Sequence, residues 1–447
     1  MSRTRTASPS APSRRLLLRL AAAGTLAPSV AACGGRSGGS GLSATWWGDP
    51  GLNDAMSAAI GAFRRAGPHR PAVRSEFLPW EGYWDKLATR SADGDTPDLV
   101  MQAATYLPEY VGRDALLTLD PYLGESLSLT GVDKDALSMG RYRGRTYAVV
   151  AATNALALIV NRSLLRRILG GPLPNRPALP GRPGDTEWTW EDLEAVGREV
   201  HHRSGGRVYG VQDAGGDLMH FQVFVRQRGR ELFDTHDRVA YPRAWLTEWL
   251  EMWQRWRRDG IAPPPDMTAE STGVLAQTPM VRRRAAMTFG WTQDLPAHAA
   301  VLADDYALLL PPGPSGGGGR PGLWVNAASL WAAAANTRRP EQVVALIDFL
   351  LNSHAAEVEL GGTLGTPPRA EARDRLRKGA DMVTRTGLDY MDRVARHSTP
   401  LPRVWPGGFT ELRDEFGRYN EDVGFGRRTP AAAADAFTAF AQQVVAA

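Results

Sequence analysis

The sequence predicts an α/β protein with mainly parallel sheet and two domains. Three observations lead there. At 447 residues the chain is longer than one ordinary hydrophobic core organises. Short apolar runs alternate with helix-period segments, the rhythm of a parallel sheet covered by helices. Several of those runs end in an aromatic beside a polar group at a turn, where open α/β sheets present a binding crevice.

Leu42 to Trp47 is an apolar run that stops at Gly48-Asp49-Pro50, residues that cannot continue a strand. Two-residue alternation turns Trp46 into the core and turns Trp47, with Asp49, toward a ligand. Leu52, Met56, Ile60 and Phe63 mark a helix to Arg65, with Asn53 as its cap and Gly67-Pro68 as its stop. A strand from Ala72 to Leu78 runs into Pro79-Trp80-Glu81-Gly82-Tyr83-Trp84, and a helix is expected from Asp85 to Ala92. Leu99 to Met101 reads as a buried strand and Pro108 to Ala115 as a helix.

Arg145 to Val150 and Ala155 to Val160 are strands joined through Thr153-Asn154. Pro and Gly crowd an exposed loop from Gly170 to Gly184. Thr189 caps a helix from Trp190 to Val200, and the adjacent His201-His202 pair reads as solvated. Val208 to Gln212 is a strand opening on Gly215-Gly216-Asp217, with a helix from Met219 to Gln227. Trp245, Trp249, Trp253 and Trp256 form one stripe on a helix from Arg243 to Arg258, spaced for core packing. Met280 to Arg284 closes another helix, and the strand Ala285 to Phe289 delivers Gly290-Trp291-Thr292-Gln293-Asp294. A strand from Tyr306 to Leu310 precedes a Gly-rich loop to Gly322. That loop lacks the Gly-Lys-Ser/Thr ending of a phosphate loop, which removes nucleotide binding. Glu341 to Leu351 is a helix, and the tail from Glu371 is helical except around Pro400 to Gly408.

The net charge of +4 belongs to the leader. Residues 1–32 hold Arg3, Arg5, Arg14, Arg15 and Arg19 and no acid, so the 52 basic residues fall to 47 against 48 acidic beyond them. Nucleic-acid binding thereby loses its electrostatic support. Leu20 to Ala32 is too short to span a bilayer, and residues 1–32 read as a cleaved export signal. Val30-Ala31-Ala32-Cys33 resembles a bacterial lipobox, which makes Cys33 the lipidated new N-terminus and residues 33–42 a flexible tether. Ser13 to Arg19 resembles the twin-arginine motif, with Leu17 where Phe is usual; general secretory export stays open.

No catalytic or metal signature emerges. The eight histidines show no zinc spacing, the lone cysteine lies in the leader, and no Gly-x-Ser-x-Gly elbow is present. What recurs is an aromatic with a polar group at strand ends: Trp46-Trp47-Asp49, Trp80-Tyr83, Gln102-Tyr106 and Trp291-Asp294. Sugars suit such surfaces, since their C–H faces lie on aromatic rings and their hydroxyls need planar polar partners.

In order along the chain, several segments resemble the extracellular solute-binding proteins of sugar ABC importers, the broad group that includes maltose-binding protein. They are Trp46-Trp47-Gly48, Tyr83 to Leu87, Asp93 to Val100, Leu117 to Leu123, Ile159 to Asn161, Arg284 to Trp291 and Pro340 to Leu351. The resemblance implies a two-lobed periplasmic-binding-protein-like (type II) α/β fold with a hinge and an interlobe cleft. Its N-terminal lobe would hold 43–153 plus about 329–372, and its C-terminal lobe 154–328 plus about 373–447. Crossovers are expected near Thr153, near Ala328 and after Pro368, although the strand Tyr147 to Ala151 lacks the proline many relatives carry before the hinge.

Family positions facing the cleft map onto Trp47, Asp49, Trp80, Tyr83, Gln102, Thr105, Tyr106, Asn154, Asp217, His220 and Trp291, with a later loop at Gly407-Gly408-Phe409. The implied protein is a monomeric receptor without cofactor, lipid-anchored outside the cell membrane, that hands a mono- or oligosaccharide to an ABC permease. A receptor of the same shape for a polyamine, peptide or anion, and a secreted carbohydrate-active enzyme, are the alternatives.

Overall fold

The computed structural model describes residues 41–170, 188–270, 275–314, 322–402 and 405–446. The export signal, Cys33 and nearly all of the tether lie outside them, as do residues 171–187 of the Pro/Gly loop and 315–321 of the Gly-rich loop. The body formed by Gly41–Ala447 is a mixed α/β structure.

The chain begins with β1 (Leu42–Trp47), α1 (Pro50–Arg65), β2 (Val73–Leu78), α2 (Trp80–Ala92), β3 (Leu99–Gln102) and α3 (Leu107–Gly112). Asp49, not Asn53, caps α1: its carboxylate accepts from the Leu52 N–H at 2.9 Å. Pro50 fixes the first helical turn, which leaves Asn53 inside the helix. Helix α2 starts five residues earlier than expected, because Pro79 sets the boundary and Trp80 already has helical geometry.

Next come α4 (Lys134–Ser138), a small hairpin of β4 (Arg141–Tyr142) and β5 (Arg145–Thr146), then β6 (Ala148–Asn154), β7 (Leu156–Asn161) and α5 (Arg162–Leu169). Beyond the 171–187 gap follow α6 (Trp190–Arg203), β8 (Tyr209–Val211), α7 (Leu218–Gln227), α8 (Arg243–Arg258), α9 (Pro265–Ala269), β9 (Ala285–Trp291), α10 (Asp294–Val301) and β10 (Tyr306–Leu309). The chain ends with β11 (Asn326–Ala333), α11 (Pro340–Asn352), α12 (His354–Leu360), α13 (Ala370–Gly379), α14 (Met382–His397), α15 (Phe409–Gly424) and α16 (Pro430–Ala446). Residues 280–284 form turns rather than the expected helix, with Arg283 at φ 54° breaking any helical path.

The strands form a five-stranded sheet, β2-β1-β3-β11-β6, and a four-stranded sheet, β10-β7-β9-β8. In the first, β1 runs parallel to β2 and β3, and β11 runs antiparallel to β3 and β6. In the second, β8 and β9 are parallel and β7 is antiparallel to β9 and β10. Each sheet therefore has one reversed strand, a detail the βα rhythm does not reveal.

The reversal has a cause in the connections. Strand β6 ends at Asn154, at the same edge where β3 ends. One residue later β7 starts at Leu156, opposite Trp291 at the carboxyl end of β9. The return path delivers β11 at Asn326, opposite Asn154. Both crossings thus join carboxyl edge to carboxyl edge, and a chain arriving at that edge can only run backwards. The two carboxyl edges face one another across the crossings.

Packing follows the sequence pattern. Trp249, Trp253 and Trp256 are fully buried on α8, and Trp245 is half-buried at its start. Thr189 caps α6 through a capping box with Asp192. Helix α6 lies directly on β8 because Gly197 meets Gly210; a methyl at Gly210 would sit 2.1 Å from the Gly197 Cα. Of the histidine pair, His202 is exposed but His201 is half-buried, its ring stacked on Tyr209 at 5.5 Å, so only one is solvated.

Candidate functional site

The facing edges carry the candidate site. On the first sheet, Trp46 is fully buried, whereas Trp47 is half-buried and contacts Trp80, Tyr83 and Trp84 at ring separations of 5.0, 5.3 and 5.4 Å. Trp84 stacks face to face on Tyr106, at 3.8 Å and 4°. These rings come from β1, from the first turns of α2 and from the turn after β3, so parallel strand order gathers them at one edge. Tyr83 is part of the wall behind them: its hydroxyl donates to the Met101 carbonyl at 2.5 Å and its ring is buried. Asp49 is exposed and occupied with capping α1. Thr105 is half-buried in the turn between β3 and α3.

Gln102 ends β3 and is fully buried, with neither its carbonyl oxygen nor its amide nitrogen hydrogen-bonded. Leaving such groups unpaired costs about 1–3 kcal/mol, so the position is expensive for a purely structural residue. Trp84 Nε1 is likewise buried and unbonded.

At the crossings a polar chain ties the edges together. Asn154 donates to Gln293 Oε1 at 2.7 Å, Asn326 donates to Asn154 Oδ1 at 3.0 Å, and Trp324 Nε1 donates to Asn326 at 3.3 Å. A further segment pairs there, with Thr153 and Thr366 exchanging backbone hydrogen bonds of 2.7 and 2.9 Å. Asn154 is thus a crossing residue with both ends of its amide used within the protein.

On the second sheet, Asp217 caps α7, accepting from the Met219 and His220 N–H groups at 2.8 and 3.2 Å. Its other oxygen lies 3.1 Å from His220 Nδ1. Burial works in the opposite direction, but the charge and hydrogen bonds of His220 hold the Asp217 carboxyl below the usual carboxylate range. His220 is 5% exposed, packs on Phe289 at 5.1 Å, and both of its ring nitrogens are buried without a hydrogen-bond partner among the described residues. Trp291 is half-buried at the end of β9, and its N–H donates to Asp294 at 2.7 Å. Gly290 permits that fold-back, since a Cβ there would lie 2.9 Å from the carboxylate. Burial pushes Asp294 up to about 6, with only the Trp291 N–H and His220 opposing it. Among the described residues no three His, Cys, Asp or Glu side chains assemble as a metal shell.

Sequence reasoning missed Trp84 and Arg413 as contributors, and named Phe409 only within a later loop and Asp294 only within a strand-end pattern. Trp84 follows Trp80 by one helical turn and could have been found by that spacing. Phe409 and Arg413, also one turn apart, start α15, which packs with α7 and α8: Phe221 meets Phe416 at 5.4 Å. Phe409 meets Tyr106 at 5.3 Å and Arg413 donates to its hydroxyl at 3.0 Å, so α15 reaches across to the first sheet. Asp294 carried the signal of an aromatic-carboxylate strand end but no positional match.

The comparisons agree with this architecture. Residues 58–384 match the family model described as bacterial extracellular solute-binding protein. Among solved structures, a periplasmic oligogalacturonide-binding protein from Yersinia enterocolitica superposes with a TM-score of 0.79 at 20% identity, covering 91% of this chain and 98% of that one. An ABC substrate-binding protein from Listeria monocytogenes, in complex with cycloalternan, gives 0.75 at 16% identity over 90% and 98%. The GacH receptor of Streptomyces glaucescens, studied unliganded and with acarbose, gives 0.73 at 16% over 91% and 99%. These likenesses establish the two-lobed periplasmic-binding-protein fold. With the family model spanning most of its length, the chain belongs to the bacterial extracellular solute-binding proteins.

Proposed function

We propose that this protein is the receptor of an ABC importer and captures a mono- or oligosaccharide between its two lobes. The observation that carries the reading is the pairing of aromatic faces with buried, unbonded polar groups on facing sheet edges: Trp47, Trp80 and Gln102 on one, His220 and Trp291 on the other. Rings supply stacking surface for sugar C–H faces, and Gln102 and His220 supply the hydrogen bonds. Thr105 and Tyr106 border the same edge, and Asp217 positions His220. Relatives of the same fold that bind oligogalacturonide, cycloalternan and acarbose support a carbohydrate.

The lobes in this reading are 43–153 with about 329–372, and 154–328 with about 373–447. Closure removes ring surface from water at roughly 25 cal/mol per Å², and the permease reads the closed form. Cleavage before Cys33 and its lipidation hold a monomeric receptor on the outer face of the membrane; no helix of the described residues is long and apolar enough to cross it. The protein returns its ligand unchanged and performs no catalysis.

Titration with a carbohydrate panel, followed by tryptophan fluorescence and calorimetry, tests the reading. Saturable binding without turnover of glycosides is expected. Absence of binding to every carbohydrate, or hydrolysis of a bound one, overturns it.

A further inference from the structure

The Ala327 peptide sits at the return crossing with its polar groups turned out of the sheet ladder. Ala327 lies opposite Thr153 in the pair of β11 with β6. Thr153 donates its N–H to the Thr366 carbonyl at 2.7 Å and accepts from the Thr366 N–H at 2.9 Å. In an antiparallel pair both backbone groups of a residue point to one side, so Thr153 has nothing left for Ala327. Strand β3 supplies no partner either, since it pairs with β11 only from Leu330 onward. The Ala327 carbonyl accepts from the Asn326 side-chain amide at 3.0 Å, the amide that also holds Asn154. The N–H of this buried residue donates to Met139 Sδ, 3.1 Å away.

Met139 follows α4 directly. The Tyr147 and Ala148 N–H groups both donate to the Gly140 carbonyl, at 3.0 and 3.1 Å, which pins this backbone to the start of β6. Core methionines such as Met101 and Met287 are fully buried, whereas Met139 is half-buried. Its thioether is therefore both the acceptor for a buried N–H and a group that peroxides oxidise. In that reaction a sulfur lone pair breaks the O–O bond of hydrogen peroxide. One oxygen stays as the sulfoxide and the other leaves as water. The oxidised sulfur is electron-poor, and a 3.1 Å separation has no room for the new oxygen between sulfur and nitrogen. Whichever lone pair reacts, the Ala327 N–H loses its acceptor.

We propose that Met139 is an oxidation-sensitive latch of this crossing: sulfoxide formation by a peroxide frees the Ala327 peptide and loosens the Asn326–Asn154 link beside it. The inference concerns the crossing and holds whatever the receptor binds.

The test is hydrogen peroxide treatment of the purified protein, with methionine sulfoxides mapped by mass spectrometry and amide hydrogen exchange followed at Ala327. Met139 and Met382, which is 77% exposed, are expected to oxidise ahead of the buried methionines. Exchange at Ala327 should then quicken by about tenfold, as the loss of one hydrogen bond implies. Met382→Leu should keep that response. Met139→Gln supplies an oxygen acceptor that peroxide does not alter, so its Ala327 should exchange slowly before and after treatment. Met139→Leu offers no acceptor, and its Ala327 should exchange quickly from the start and ignore peroxide. Peroxide that oxidises Met382 and spares Met139, or oxidation of Met139 with exchange at Ala327 unchanged, overturns the inference. A Met139→Gln protein that still responds at Ala327 overturns it as well.

Discussion

Arg413 Nη1 donates to the Tyr106 hydroxyl at 3.0 Å, joining the start of α15 to the turn after β3 across the facing sheets. Phe409 packs edge-on against the Tyr106 ring at 5.3 Å. Burial raises the Tyr106 hydroxyl above its ordinary value despite the nearby guanidinium, so it stays a neutral phenol throughout the working pH range.

A hydrogen bond to a charged group contributes about 1.5–3 kcal/mol, and this one links α15 to the turn after β3. Tyr106→Phe keeps the stack on Trp84 and removes that bond. If the receptor closes between lobes as proposed and the bond belongs to the closed form, ligand affinity should fall by about 3- to 10-fold with unfolding little changed. Calorimetry gives the affinity, and small-angle scattering of the unliganded variant should show a larger radius of gyration. Unaltered values of both would place the contact in open and closed forms alike.

Trp46 and Trp47 are neighbours with opposite fates. Trp46 is fully buried in the core, so Trp46→Ala should cost about 3–5 kcal/mol of stability in urea unfolding. Trp47 is half-buried on the aromatic edge, and Trp47→Ala should cost less stability while weakening the ligand at least tenfold. If the two variants lose affinity and stability in parallel, Trp47 is core as well.

These neighbours also show how far the sequence could be read. Strand alternation separated Trp46 from Trp47 correctly because β1 is short, regular and paired on both sides. The tryptophan stripe of α8 was legible for the same reason, a long helix with one buried face. Helix starts were read less well: proline at residues 50 and 79 moved both α1 and α2 upstream of the first periodic apolar residue. The reversed strands β7 and β11 left no local trace, since their direction follows from where the chain crosses. Arg413 reaches Tyr106 from 307 positions away, a relation no spacing contains.

Arg257 and Asp213 form a buried pair, with Nε–Oδ2 at 2.6 Å and side chains 5% and 2% exposed. Arg257 also donates to Asn420 at 2.9 Å, locking α8 to the loop after β8 and to α15. Arg257→Ala leaves Asp213 buried without its cation and should destabilise by about 3–5 kcal/mol. Replacing both, Arg257→Met with Asp213→Leu, should recover part of that loss. Urea midpoints of the single and double variants separate the two effects, and equal losses in both would mean that the lone buried Asp213 carries no penalty of its own.

Burial of Asp294 makes stability depend on pH. Its folded value of about 6 lies above the roughly 3.9 of an unfolded aspartate, so the folded state holds the extra proton between those values. Stability from this group is therefore present below about pH 4, falls as pH rises toward 6, and is flat beyond, where the ionised carboxylate costs about 3 kcal/mol. His298, on the same helix, is pushed down to about 4 by burial, so the unfolded state binds its proton across this window and its contribution slopes the opposite way. That slope is equal in this protein and in an Asp294→Asn variant, and the difference between them reports Asp294. Asp294→Asn should raise the melting temperature by about 2–4 °C at pH 7.5 and leave it unchanged near pH 4. Scanning calorimetry of the two proteins from pH 4 to pH 8 checks it: a melting-temperature gap that does not grow with pH would show that Asp294 titrates as an ordinary surface carboxylate.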